Sequence, residues 1–235
     1  MRMLATLLVG SPRGPKSTSD ALGTYLLERL NEKGVSINKI YLHQALASEQ
    51  GLNTLFRDVG ETDIIILASP LYADGHHCCV IRAMELMHEN RKSRPPIKKQ
   101  VMVAVSNSGF PESWHNNLSL AISRRFALES GFAWAGGLAL GGGESIAGRP
   151  LEEAGRLVRN VKKSLNLVAD ALARREDVPE EAIELMARPL IPKWLYLLIG
   201  NIGWLWKAKR QGCGGRLDSR PYLDTSATQH QERGA

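Results

Sequence analysis

The first twenty residues constrain the chain more than any other stretch. An apolar run from Met3 to Val9 has the length of one strand and stops at Gly10-Ser11-Pro12, after which Arg13-Gly14-Pro15-Lys16-Ser17-Thr18-Ser19 leads into a helical pattern. Such a junction leaves unpaired backbone N–H groups and the positive end of a helix dipole facing one spot, which suits an anion. It is not a P-loop, because Pro15 separates Gly14 from Lys16 and removes a donor that a triphosphate cradle uses. The later apolar run Ile64 to Ala68 ends in Ser69-Pro70, without the Asp that would hold magnesium. The dinucleotide fingerprint G-x-G-x-x-G is also missing from this first turn.

What remains is a cradle for one phosphate, as carried by a mononucleotide such as FMN. The plainer alternative is that Ser17 and Ser19 serve only as N-caps. Further along, strand-length apolar runs alternate with longer amphipathic stretches. Strands are expected at Met3–Val9, Ser36–Leu42, Asp63–Ala68, Gln100–Ser106 and Phe132–Leu140, and helices at Thr18–Lys33, Leu52–Val59, Val80–Asn90, Asn116–Ser130 and Leu151–Arg174. This alternation is the α/β pattern. The first, third and fourth strands are apolar throughout, as when helices cover both faces of a parallel sheet.

Ligands of such sheets bind beyond the carboxyl ends of the strands. Three loops therefore face one site: Ser11 to Ser19, Ser69 to Cys78 and Asn107 to Trp114. The second reads Ser69-Pro70-Leu71-Tyr72-Ala73-Asp74-Gly75 and the third Asn107-Ser108-Gly109-Phe110-Pro111-Glu112. Gly141-Gly142-Gly143-Glu144-Ser145 either lines the mouth of the site or forms a plain flexible turn.

These three loops together resemble the NAD(P)H-dependent FMN reductase branch of the flavodoxin-like flavoproteins, over roughly residues 1 to 175. The resemblance implies a five-stranded parallel sheet in the order 2-1-3-4-5 with helices on both faces. It implies that Ser11, Arg13, Ser17, Thr18 and Ser19 bind the FMN phosphate. Pro70, Leu71, Tyr72, Ala73 and Asp74 would run along the isoalloxazine ring, and Asn107, Ser108, Gly109 and Phe110 would close its other edge. NAD(P)H would be the co-substrate and a quinone, nitro or azo compound or free flavin the acceptor. The flavin would supply the chemistry, so no catalytic side chain is named. The resemblance also implies a homo-oligomer, in which paired subunits shape the flavin pocket. A non-catalytic electron carrier or FMN-binding regulatory module is the competing function, and a membrane-surface or assembly protein without cofactor is a third.

After Asp74 the sequence Gly75-His76-His77-Cys78-Cys79 departs from the apolar residues and Pro of the family. Four adjacent residues cannot all converge on one ion, so this is expected to be a helix start rather than a metal site. A cysteine at that helix N-terminus would have an acidified thiol. Three cysteines, Cys78, Cys79 and Cys213, make neither a disulfide framework nor an iron–sulfur cluster and suit a reducing compartment. The start Met1-Arg2-Met3-Leu4 has too short an apolar stretch for a signal peptide, so a cytoplasmic body is expected.

The net charge of +6 is concentrated: residues 188–220 hold seven Lys or Arg against Asp218, a surplus equal to the whole. The rest is balanced, which argues against nucleic acid as a partner. Residues 191–206 are strongly apolar, with three Trp and one Tyr, and Lys207, Lys209 and Arg210 follow. Broken by Asn201 and two glycines, the stretch is too short for a bilayer needing about 20 apolar residues. It either packs on its own domain or a second subunit, or makes a peripheral contact with the inner membrane face through residues 191–210. The expected organisation is an FMN-binding domain at 1–176, a helical extension at 177–223 and a disordered tail at 224–235.

Overall fold

The computed structural model describes residues 3–95 and 97–219. Five parallel strands, β1 (Leu4–Val9), β2 (Ser36–Tyr41), β3 (Ile64–Tyr72), β5 (Val101–Asn107) and β6 (Ala133–Leu140), lie in the order β2-β1-β3-β5-β6. A two-residue strand, β4 (Gly75–His76), turns back antiparallel on β3. With β4 set aside, the order is the expected 2-1-3-4-5 winding. The helices are α1 (Thr18–Glu32), α2 (Leu42–Ala45), α3 (Glu49–Glu61), α4 (Cys78–Ser93), α5 (Asn117–Glu129), α6 (Arg159–Ala173) and α7 (Glu180–Ala187). This is a flavodoxin-like α/β sheet with helices on both faces.

Alternate residues of the central strands enter two cores. Ala5, Leu7 and Val9 of β1 and Ile64, Ile66 and Ala68 of β3 share one with Leu22, Leu26 and Leu30 of α1 and Val161, Leu165 and Leu172 of α6. Leu8, Ile65 and Leu67 point the other way, into a core with Leu55 and Val59 of α3 and Val80, Ala83 and Met87 of α4. Each buried aliphatic side chain contributes roughly 1.5–3 kcal/mol. Both cores need apolar residues from the same strand, hence the uninterrupted apolar runs.

Three sequence expectations are corrected. The helix expected from Leu151 begins only at Arg159; Pro150 and Gly155, whose φ is +59°, hold the preceding segment in turns while Leu151 and Val158 are still buried. Strand β3 does not stop at Ala68 but runs through Pro70 to Tyr72, where Leu71 pairs with His76 and Tyr72 with Gly75. The compact unit also continues past the expected boundary at 176. The Val178 N–H donates to the Ala135 carbonyl at 2.8 Å, the Ser164 hydroxyl to the Ala182 carbonyl at 2.6 Å, and α7 buries Ala182 and Met186.

The chain divides into two compact units, Met1–Ile191 and Pro192–Ala235. The second contains α8 (Lys193–Arg210), which buries none of its residues. Among the described residues no helix is long and apolar enough to cross a membrane. The disordered tail expected at 224–235 lies outside the described residues.

Candidate active site

At the carboxyl edge of the sheet, β1 delivers the chain to Gly10, whose N–H donates to the Ala68 carbonyl at 2.8 Å. A Cβ here would stand 2.5 Å from Val80 Cγ2 and 2.9 Å from Ser69 Cβ, so only glycine lets the loop pass this close to β3 and α4. The loop then tightens. The Gly14 N–H donates to the Ser11 carbonyl at 3.1 Å, and Gly14–Lys16 form one turn of 3-10 helix with Pro15 inside it.

The hydroxyls of this loop are not equivalent. Ser17 Oγ donates to the Gly14 carbonyl at 2.7 Å and accepts the Asp20 N–H at 3.1 Å, so it is the N-cap of α1 and its hydrogen is spent. Thr18 Oγ1 donates to the Gly143 carbonyl at 3.0 Å. Among the described residues, Ser11 Oγ and Ser19 Oγ only accept, from the Arg13 N–H at 3.3 Å and Asn107 Nδ2 at 2.8 Å, and keep their hydrogens to donate. Asp20 sits in the first turn of α1, where its charge would compete with an anion. Its Oδ1 is drawn aside by Lys39 Nζ at 3.1 Å and the Tyr41 hydroxyl at 3.0 Å. Burial works against the Lys39 charge, but Asp20 outweighs it and holds the ammonium above its usual range.

Asn107 ties the edge together, since its Nδ2 also donates to the Ser69 carbonyl at 3.2 Å. The Gly141–Ser145 stretch is ordered rather than a flexible turn: Gly142 N–H donates to the Phe110 carbonyl at 2.6 Å and Gly143 N–H to the Ser108 carbonyl at 2.8 Å. The result is a cavity of about 220 Å³. Ser11, Arg13, Ser17, Thr18 and Ser19 form one wall, Pro70, Leu71 and Tyr72 a second, and Asn107, Ser108 and Gly109 a third. Gly143 and Glu144 complete it, of which the glycine-rich stretch was the only sequence signal. Ala73, Asp74 and Phe110 stand outside this lining. Ala73 and Asp74 instead form the two-residue turn between β3 and β4, both with positive φ, 45° and 64°. A larger cavity of about 750 Å³ opens at the amino edge, between the ends of α3 and α4, and none of the expected site residues lines it.

The His76–Cys79 stretch is a helix start, as expected: α4 begins at Cys78, and His76 lies just before it in β4. His76 is buried: Nδ1 lies 3.0 Å from Ser69 Oγ, and Nε2 2.8 Å from the Ser119 carbonyl and 2.9 Å from Ser123 Oγ. A carbonyl only accepts, so Nε2 carries the hydrogen and Nδ1 accepts from Ser69. Burial pushes the His76 pKa down, only partly opposed by the Ser119 carbonyl. His77 caps α4, its Nδ1 accepting the Cys79 N–H at 3.2 Å, and its ring stands edge-on to Tyr72 at 4.9 Å between centroids. The acidified thiol expected at this helix start is not found at Cys79, whose pKa burial pushes up, with Cys78 adding to it.

The donors fit a phosphate group. Ser11, Ser19, the Arg13 guanidinium, whose Nη2 donates to the Lys16 carbonyl at 3.1 Å, and the start of α1 line one cavity, while Ser17 and Thr18 hold the loop in shape. The Pro70–Tyr72 wall stands beside this cavity of about 220 Å³.

No protein-family model and no curated protein matches the chain. Solved structures do. An NADH:FMN oxidoreductase in its apo form superposes with a TM-score of 0.55 at 14% identity, over 81% of this chain and 96% of that one. A flavone reductase gives 0.54 at 17% identity over 73% of this chain, which spans 63% of the length of that protein. An NAD(P)H:quinone oxidoreductase from Methanothermobacter marburgensis gives 0.51 at 16% identity, over 68% and 96%. The likeness is one of fold, the flavodoxin-like sheet.

Proposed function

We propose that the chain binds FMN at the carboxyl edge and uses it to pass electrons from NAD(P)H to a small acceptor, a quinone, nitro or azo compound or free flavin. One observation carries the reading: Ser11 and Ser19, whose hydroxyls accept but are not seen to donate among the described residues, line one cavity with Arg13, the start of α1 and the Pro70–Tyr72 and Asn107–Gly109 walls. The names of the fold neighbours, an NADH:FMN oxidoreductase and an NAD(P)H:quinone oxidoreductase among them, support it.

Bound FMN would supply the redox chemistry, accepting hydride from the nicotinamide and releasing electrons to the acceptor. The chain's own part is to seat and orient it. Ser11 and Ser19 donate to the phosphate and Arg13 adds charge-assisted bonds, while Ser17 and Thr18 fix the loop through the Gly14 and Gly143 carbonyls. Asn107 fastens Ser19 to β3, and His76 fastens Ser69 to α5. A homo-oligomer belongs to the same reading, supported by the exposed rings of Tyr72, Phe110 and Trp114 near the cavity.

The test is a titration of the purified chain with FMN, followed by flavin fluorescence and visible spectrum, then anaerobic NADPH or NADH. Saturable binding and prompt bleaching are expected. Binding without bleaching by either nucleotide leaves an electron carrier, and no flavin-dependent rise in melting temperature overturns the site itself.

A further inference from the structure

Helix α8 has no role in the FMN reading, yet it is the most unusual surface on the chain. Leu195, Leu198, Ile199, Ile202, Leu205 and Trp206 recur at i, i+3, i+4, i+7, i+10 and i+11, one continuous stripe. Of these, Ile199 and Ile202 are each 56% exposed and Trp206 63%. Lys193, Gly200 and Lys207 lie on the opposite side together with Leu197 and Trp204, Lys209 falls within the stripe and Arg210 at its edge, so the helix is apolar nearly all round and basic at its C-terminal end. No Asp or Glu occurs between Lys193 and Arg210, and Lys207, Lys209 and Arg210 crowd the last turn. Lys207 and Arg210 lie over the rings of Trp204 and Trp206, each 5.7 Å from the ring centroid.

We propose that α8 is an in-plane anchor for an anionic lipid surface. Its 18 residues rise about 27 Å, short of a roughly 30 Å hydrocarbon core, and its four cations forbid a crossing. An apolar stripe flanked by tryptophans and ending in a basic cluster matches instead the boundary between acyl chains and headgroups, where indole rings settle and Lys and Arg reach anionic phosphates. Charge favours the lipid over a parallel second α8, which would bring the two basic ends together with no carboxylate in either helix to neutralise them. The proposal does not depend on FMN, so its failure leaves the flavin reading intact.

The test is flotation of the full chain with vesicles of phosphatidylcholine alone and of phosphatidylcholine with phosphatidylglycerol. Binding to the anionic vesicles is expected, with a blue shift of tryptophan emission and release as salt rises from about 0.1 M to 1 M, where the screening length falls from about 10 Å to 3 Å. Because each surface cation contributes about fivefold, Lys207→Gln/Lys209→Gln/Arg210→Gln should weaken partitioning about a hundredfold. Ile202→Ser/Leu205→Ser should abolish the blue shift with every charge in place. Wild-type chain that floats with neither vesicle overturns the proposal, as does a triple variant that floats like wild type. A dimer that ignores vesicles and dissociates on Ile202→Ser/Leu205→Ser gives the stripe to a second copy and overturns it too.

Discussion

The two edges of the sheet both bury polar side chains, and they use them in opposite ways. At the amino edge, Gln100 Nε2 donates to the carbonyls of Val59 at 2.6 Å and Thr62 at 2.7 Å, while its Oε1 accepts from Arg91 Nη1. Arg91 Nε donates to the Ser130 carbonyl at 2.6 Å, and its guanidinium lies 3.6 Å from the centre of the Phe132 ring. Burial pushes the Arg91 pKa down to about 10. Asp63 accepts the Leu4 N–H at 2.8 Å and pairs with Lys98; burial works against its charge, and these two partners still hold the carboxyl below its usual range. Each of these groups closes a gap between secondary-structure elements. At the carboxyl edge, Ser11 and Ser19 keep hydrogens to donate, and no acceptor among the described residues takes them. The amino-edge groups tie elements to one another as a clasp, with Arg91 Nη2 left without a hydrogen-bond partner among the described residues, whereas the carboxyl-edge hydroxyls keep donating capacity beside a cavity.

The contrast can be broken most sharply at the clasp. Gln100→Leu strips Arg91 Nη1 and two carbonyls of their partners at once, and should cost about 3 kcal/mol of stability, since each orphaned buried group costs roughly 1–3 kcal/mol. Urea denaturation measures the loss, and FMN affinity of the folded fraction should not change. A next-smaller effect is expected at the other edge. Arg13→Ala should weaken FMN about tenfold to a hundredfold, the worth of a charge-assisted bond, and leave the melting temperature of the flavin-free chain nearly unmoved. An Arg13→Ala chain that binds as tightly as wild type would break the comparison.

His76 belongs to both classes, a clasp built beside the site. Its folded-state pKa is depressed, so the unfolded chain binds the extra proton more readily, and stability should fall as pH drops below about 6.5. The slope can reach at most about 1.4 kcal/mol per pH unit. Thermal melts from pH 7 to pH 5 should show that slope reduced in His76→Gln. The smallest effect is expected at Ser17. Loss of an N-cap in Ser17→Ala should cost about 1 kcal/mol in stability with little change in FMN affinity, because its hydrogen already goes to Gly14. A large affinity loss there would make Ser17 a ligand rather than a brace.

Much of this was legible because both cores draw on the same strands. Leu7 and Leu8, or Ile65 and Ile66, are adjacent in sequence and buried on opposite faces, and that produces the unbroken apolar runs of β1 and β3. The cradle was legible because Gly10, Pro12 and the Ser17–Ser19 run each have a local reason to stop a strand or start a helix. What the sequence hid was tertiary. Pro70 reads as a strand end, yet the antiparallel partner Gly75–His76 carries β3 to Tyr72. The turn that permits this uses Ala73 and Asp74 at positive φ, positions where a sequence reading looks for Gly or Asn. Helix α7 is short and follows Pro179, so its place in the core rests on Ala182 and Met186 meeting the first core cluster, which no local pattern announces. The Cys79 thiol was misjudged for the same reason: its chemistry is set by burial against the Gly10 turn, far away in the chain.

The Asn107 side chain joins the start of α1 to the tip of β3 through a single amide group. Whatever settles at one of those elements therefore stiffens the other before a second moiety arrives. Occupancy of the two halves of the cavity should be reciprocal: inorganic phosphate and a phosphate-free flavin each raise the affinity of the other by the same factor, and severing the amide bridge erases that cooperativity.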